Sequence, residues 1–212
     1  LMADGLESYG AIAFCEGVTR LGCWAHARRR FVDASKVLPA GKRGRAHEAL
    51  ALIGKLYAIE RDARELSDAA RLAQRQSRSR AVLDELRRWL DQVLPTVPPT
   101  SVLGGALGYL HRQWPRLIPY LARGDLPIDN NPAENAIRPF VVGRKAWLFS
   151  DTQAGARASA LIYSLVETAK DNGMEPYLWL RNALRALPTA TTVEHFETLL
   201  PWNLKAEHLI TA

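Results

Sequence analysis

The side chains able to do chemistry in this 212-residue sequence are few, and two carboxylates stand out by position: Asp4, at the end of a predicted strand, and Glu134, in the first turn of a predicted helix close to Asp129. Hard divalent cations such as Mg²⁺ take oxygen ligands, and carboxylates gathered from strand and helix ends can drive phosphoryl transfer. The same residues also have plain structural readings, Asp4-Gly5 as a turn and Glu134 as the far end of a capping box. Cys23-Trp24-Ala25-His26 is the one Cys/His cluster, and without a second pair its spacing does not make a zinc site. Cys23 reads as core and His26 as helix surface or a DNA contact. Serine and cysteine nucleophile signatures and glycine-rich phosphate loops are absent.

Charge points to a partner. Lys and Arg number 28 against 22 Asp and Glu, a formal net charge of +6. The excess is concentrated: from Arg20 to Arg88 there are 17 basic and 8 acidic residues, a net of +9, while the rest of the chain carries 11 and 14, a net of −3. Such asymmetry is the footprint of a surface that meets phosphate; the alternative is a solvated Arg-rich helix face. A hydrophobic content of 48% supplies a core, which argues against disorder. No apolar run reaches the roughly 18 to 20 residues of a membrane span, the first residues do not read as a signal peptide, and two cysteines, Cys15 and Cys23, favour a reducing cytoplasm.

The elements that must position these groups are mostly helical. Short strands are expected over Leu1–Asp4 and Val18–Cys23 with a helix over about Leu6–Cys15 between them. Trp24, Ala27, Phe31 and Ala34 place a helix after Cys23, with Arg28, Arg29 and Arg30 on its wetter side. Ala49, Leu52, Leu56, Ile59, Ala63, Leu66 and Ala70 form a heptad seam, and its expected partner is Val82, Leu86, Trp89 and Val93 after a turn around Gln74–Arg80. Ser101 caps a further helix through Leu103, Leu107, Leu110 and Trp114. Asn131 reads as an N-cap with Pro132 at the first helical position, and Pro139 is expected to bend or end that helix. A helix from about Thr152 to Lys170, burying Ala158, Leu161, Leu165 and Ala169, and two shorter ones over Pro176–Leu187 and Val193–Leu200 complete the chain.

Asp129-Asn130-Asn131-Pro132-Ala133-Glu134-Asn135-Ala136-Ile137-Arg138-Pro139, with Val142-Gly143-Arg144-Lys145 and Trp147-Leu148-Phe149-Ser150, resembles the signature of bacterial insertion sequence 66 transposases. Gly22 to Phe31, Ala3 to Tyr9 and Leu200-Pro201-Trp202-Asn203 are similar to further family blocks, so the resemblance covers nearly the whole chain. It implies a predominantly helical α/β chain: a partial ribonuclease H-like core with a helical insertion. Residues 1–37 and 126–172 would belong to the core, 38–125 to the insertion and 173–212 to a C-terminal helical extension.

The resemblance also implies an Asp, Asp, Glu triad holding two Mg²⁺ or Mn²⁺ ions, with Asp4 matching the second Asp and Glu134 the Glu. The first Asp belongs on a strand upstream of Leu1, so the chain looks like the C-terminal part of a longer transposase. Leu6 stands where an aromatic is usual and Asn135 where many members have Arg. Arg28, Arg29, Arg30, Arg138, Arg144 and Lys145 become candidates for DNA phosphates, and Cys23 with His26 resembles a pair that is either structural or touches DNA. Expected partners are transposon-end and target DNA, accessory proteins of the same element and further copies of the chain on DNA, in a bacterial cytoplasm at the nucleoid. Two other readings stand beside this one: a non-enzymatic DNA-binding or assembly module left from a truncated gene, and a purely structural helical domain.

Overall fold

The computed structural model describes residues 2–3, 17–39, 41–147 and 150–204. These divide into two compact units, Leu1–Pro132 and Ala133–Ala212. Among the described residues no strand forms: the segment expected as a strand over Val18–Cys23 makes a single parallel bridge, Leu21 with Met2, closed by the Ala3 amide donating to the Leu21 carbonyl at 3.1 Å. Asp4 and the helix expected over Leu6–Cys15 lie outside the described residues.

In the first unit, α1 (Trp24–Lys36) carries Trp24, Ala27, Phe31 and Ala34 on one stripe, all buried. That stripe is the centre of the core, because α1 packs on both α2 (Arg45–Asp62) and α5 (Val102–Leu117). Trp24 is fully buried, and its indole Nε1 donates to the Leu117 carbonyl at 3.0 Å, which satisfies the one polar atom the ring brings inside. Ser101 caps α5, its Oγ accepting from the Gly104 amide at 3.0 Å.

The heptad seam of α2 folds back on the chain that follows. Ala49, Leu52, Leu56, Ile59 and Ala63 are buried. Cross-links of falling sequence separation mark the antiparallel register: Arg45 to Thr96, Trp89 to Glu48, Lys55 to Glu85 and Arg75 to Glu60. The turn lies at residues 63–67, not at Gln74–Arg80. Leu66 is therefore exposed, and Ser67 caps α3 (Asp68–Gln74), which continues without a break through a π-helical turn, Arg75–Ser79, into α4 (Arg80–Val93). The buried stripe of α4 is Leu83, Leu86, Leu90 and Val93, so Val82 and Trp89 flank the seam instead of forming it.

Arg75 explains why a polar stretch is helical. Its side chain is 1% exposed, and its five donors are all used: Nε and one Nη bond the two Glu60 oxygens at 2.9 and 2.7 Å, and the carbonyls of Tyr120, Arg123 and Leu126 accept the rest. The loop from Ile118 to Asn130 is thereby tied to the hairpin.

α6 (Asn131–Trp147), most of it in the second unit, runs through Pro139, so the helix does not end there. Pro139 and Asn135, whose carbonyl loses its helical donor there, are both exposed, so water can take the place of the missing bond. Asn131 is the first helical residue and not the cap. The next helix, α7 (Gln153–Asp171), ends in a Schellman turn: Gly173 adopts φ +72°, its amide donates to Lys170, and the Met174 amide donates to Ala169. Ala169, Met174 and Trp179 form a small core with α8 (Pro176–Ala186), and α9 (Val193–Thr198) follows. Because that core sits at the C-terminal end of α7, Ala158 and Leu161, expected to be buried, are exposed.

Arg75→Met is expected to destabilise the first unit by about 3–5 kcal/mol, since it strands Glu60 and three carbonyls away from water; the check is the shift in urea unfolding midpoint. A change under about 1 kcal/mol would show that the guanidinium is not what holds the loop.

Candidate nucleic-acid interface

The facing surfaces of α1 and α2 make a cleft of about 520 Å³. On α1 the spacing Ala25, Arg28, Arg29, Val32 turns two guanidiniums and two apolar groups toward it; on α2 the stripe Gly54, Tyr57, Arg61 does the same, and Asn131 closes one end. No carboxylate among the described residues lines it. Among the described residues none of Arg28, Arg29 and Arg61 forms a salt bridge or donates a side-chain hydrogen bond. Other arginines of the basic region are engaged: Arg71 donates to the carbonyls of Ala63, Arg64, Leu66 and Gly124, Arg78 pairs with Asp62 at 3.0 Å, and Arg87 with Asp91 at 2.7 Å. The +9 region thus contains structural cations and available ones, and three of the available ones, Arg28, Arg29 and Arg61, converge.

Tyr57 joins the cleft to the chain that opens α6. Its hydroxyl donates to Asp129 Oδ2 at 2.8 Å, while Asp129 Oδ1 accepts from the Asn131 amide at 3.1 Å. Asp129 is buried, so both bonds replace water it has lost. Burial, and then the bonded carboxylate, push the Tyr57 phenol well above its ordinary range, so it remains a donor at any physiological pH. Cys23 lies alongside: it is buried, its Sγ accepts from the Asn130 amide at 3.5 Å, and burial raises its thiol pKa.

Residues 1–158 match the family described as Transposase IS66 family, and residues 164–202 match the IS66 C-terminal element. The chain belongs to the IS66 transposase family. Relatives from Sinorhizobium fredii include uncharacterized protein y4jD, 33% identical over 99% of this chain and 42% of its own length, and y4qI, 30% identical over 98% and 39%. A third, y4hP, is 30% identical over 89% of this chain and 36% of its own length. The chain thus spans about two fifths of the relatives it matches. No solved structure matches it.

In this IS66 family member the expected site residues fall in different places. Arg28 and Arg29 line the cleft, whereas Arg30 lies over the Tyr109 ring at 4.9 Å. Cys23 is core and His26 is half-buried on α1. Glu134, half-buried, and the exposed Arg138 and Arg144 lie along α6 in the second unit, with Lys145 on the same helix. Asp4 lies outside the described residues. No group of three or more His, Cys, Asp or Glu suited to a metal ion occurs among the described residues, and no described helix is long and apolar enough to cross a membrane. Tyr57 and Arg61 were missed from sequence because the adjacent heptad of α2 drew the reading to its buried face; the Gly54, Tyr57, Arg61 spacing was the available signal.

Tyr57→Phe is expected to lower stability by about 1–3 kcal/mol, because Asp129 keeps its burial but loses a donor. The wild-type advantage should be full below about pH 10 and fall as pH rises beyond it, since the unfolded phenol ionises first. Urea melts of both proteins from pH 7 to about pH 11 read this directly, and a difference that does not shrink in alkali would mean the phenol is not the bonded group.

Proposed function

We propose that the chain is part of a DNA transposase of the Asp, Asp, Glu type, which cuts and rejoins the ends of an insertion sequence. The observation that carries the reading is the cleft of converging guanidiniums in a chain of the IS66 transposase family: Arg28, Arg29 and Arg61 offer cationic donors, none of them in a salt bridge among the described residues, which suits phosphodiester oxygens. Arg138 and Arg144 on α6 are exposed and suit a second stretch of backbone; Lys145 is assigned with them from sequence.

The catalytic assignment takes Asp4 and Glu134 as two carboxylates of the triad in a ribonuclease H-like core. Of these, the described residues hold Glu134 alone, an oxygen donor of the kind Mg²⁺ prefers but not by itself a site. A bound pair of divalent ions would supply activation of the attacking hydroxyl and stabilisation of the leaving oxygen. What this chain's own residues contribute is placement. Tyr57 and Asp129 fix the residues that open α6, and Glu134 lies one turn into that helix. The guanidiniums hold the DNA strand by its phosphates. Cleavage in the bacterial cytoplasm, assembly of several copies on DNA and accessory partners belong to the same proposal.

In the full-length transposase that carries this chain, Asp4→Asn and Glu134→Gln are each expected to cut metal-dependent nicking of an insertion-sequence end by on the order of 10²-fold or more while DNA binding persists. Nicking that survives both substitutions would overturn the catalytic assignment and leave a DNA-binding module. Arg28→Ala with Arg29→Ala should flatten the slope of log K against log salt by about one to two, at roughly 0.9 per phosphate, for unrelated duplexes as much as for transposon ends. An unchanged slope would remove these residues from the interface.

A further inference from the structure

Gly54 has no packing reason to be glycine. It lies in the interior of α2, where glycine is among the least favourable residues, and a Cβ built on it would meet nothing within 4 Å. At Gly104, by contrast, a Cβ would run into the Pro98 carbonyl. The effect of Gly54 is to leave the cleft wall open between Tyr57 and the guanidiniums of Arg28, Arg29 and Arg61. The reserved space, about 520 Å³, is in the range of a small-molecule site, roughly 300–1,000 Å³, and exceeds what a lone phosphate fills. Its wall also has an apolar part, Ala25 and Val32, beside the Tyr57 ring.

We infer that the cleft takes one unpaired nucleotide of a DNA strand, its phosphate held by Arg28, Arg29 and Arg61 and its base lodged in the space that Gly54 leaves beside Tyr57 and Val32. This rests on the DNA-acting reading above and adds to it a preference for unpaired strand. A paired base is stacked in its duplex and cannot enter, whereas an already single-stranded one is extruded at least cost. Contact between a base and an aromatic ring tolerates any sequence, because every base has a π-face. The site therefore selects strand state and not sequence.

Fluorescence anisotropy with the 212-residue chain tests it, using a labelled single-stranded oligothymidine and a labelled duplex of equal length across a salt series. Gly54→Leu, which fills the cleft, is expected to weaken single-strand binding by about 10-fold or more while duplex binding stays within about 2-fold and the melting temperature does not fall. Arg61→Gln, at an exposed position, should weaken single-strand binding and lower its salt slope by about 0.7. Should Gly54→Leu fail to fold, Val32→Phe, which fills the cleft from α1, takes its place. Single-strand binding unchanged in the variants would overturn the cleft while leaving the transposase reading in place; equal weakening of both DNAs by a cleft-filling variant would overturn the unpaired nucleotide. Wild-type chain that binds neither DNA would remove the DNA-acting reading from these residues, and the inference with it.

Discussion

A single buried guanidinium, that of Arg75, sets the geometry on which the first unit depends. A buried charge is tolerated only when its partners replace the water it has lost. Here Glu60 supplies the opposite charge from α2, and three loop carbonyls take the remaining donors, so one side chain joins both arms of the hairpin to the loop before α6. That loop ends at Asp129, and Asp129 is held in turn by Tyr57 of α2. The end of that loop is therefore held from two directions by the hairpin. This is a task for Arg: its planar fork meets a carboxylate in two parallel bonds while reaching carbonyls on its other edges.

The same residue type has two opposite uses within a few turns of helix. Arg71 and Arg75 spend their donors on backbone carbonyls and act as internal struts, whereas Arg28, Arg29 and Arg61 converge on open space. Net charge along a sequence does not separate these roles, because it counts a strut and a phosphate ligand alike. What separates them is whether oxygen acceptors already surround the guanidinium, and that is set by tertiary structure.

Much of the helical framework was legible in the sequence because its signals are local. Trp24, Ala27, Phe31 and Ala34 lie on one buried stripe, Ser101 and Thr152 accept from the amides that make them caps, and Gly173 takes the positive φ that ends α7. The failures have a shared cause. The stretch Gln74–Arg80 has the composition of a turn, yet it is helical because Glu60 lies across from Arg75, and a partner fifteen residues away leaves no local trace. Pro139 reads as a bend or an end, yet the helix continues past it, and Asn135, whose carbonyl it deprives, is an exposed residue. Of the site, Arg28 and Arg29 were legible as exposed basic residues, whereas Arg61, Tyr57 and Asp129 become one constellation only when α1, α2 and the loop are packed together. Family resemblance, carried by Asp129 to Pro139, reached further than periodicity because it does not depend on knowing the packing.

The π-helical turn at Arg75–Ser79 makes the hairpin sensitive to the number of its residues more than to their kinds. Gln76, Ser77 and Arg78 are exposed, so, apart from the Gln76 bond to the Leu121 carbonyl and the Arg78 pair with Asp62, their letters are free to drift. Their count is not: each residue rotates a helix by about 100°, and the wide turn stores the extra residue that brings Leu83, Leu86 and Leu90 back to the core after Arg75 has been buried. Adding one codon to a turn that already holds an extra residue would carry the leucine face of α4 about 100° toward water. Length at this turn is the constrained quantity, and the surface it presents is the tolerant one.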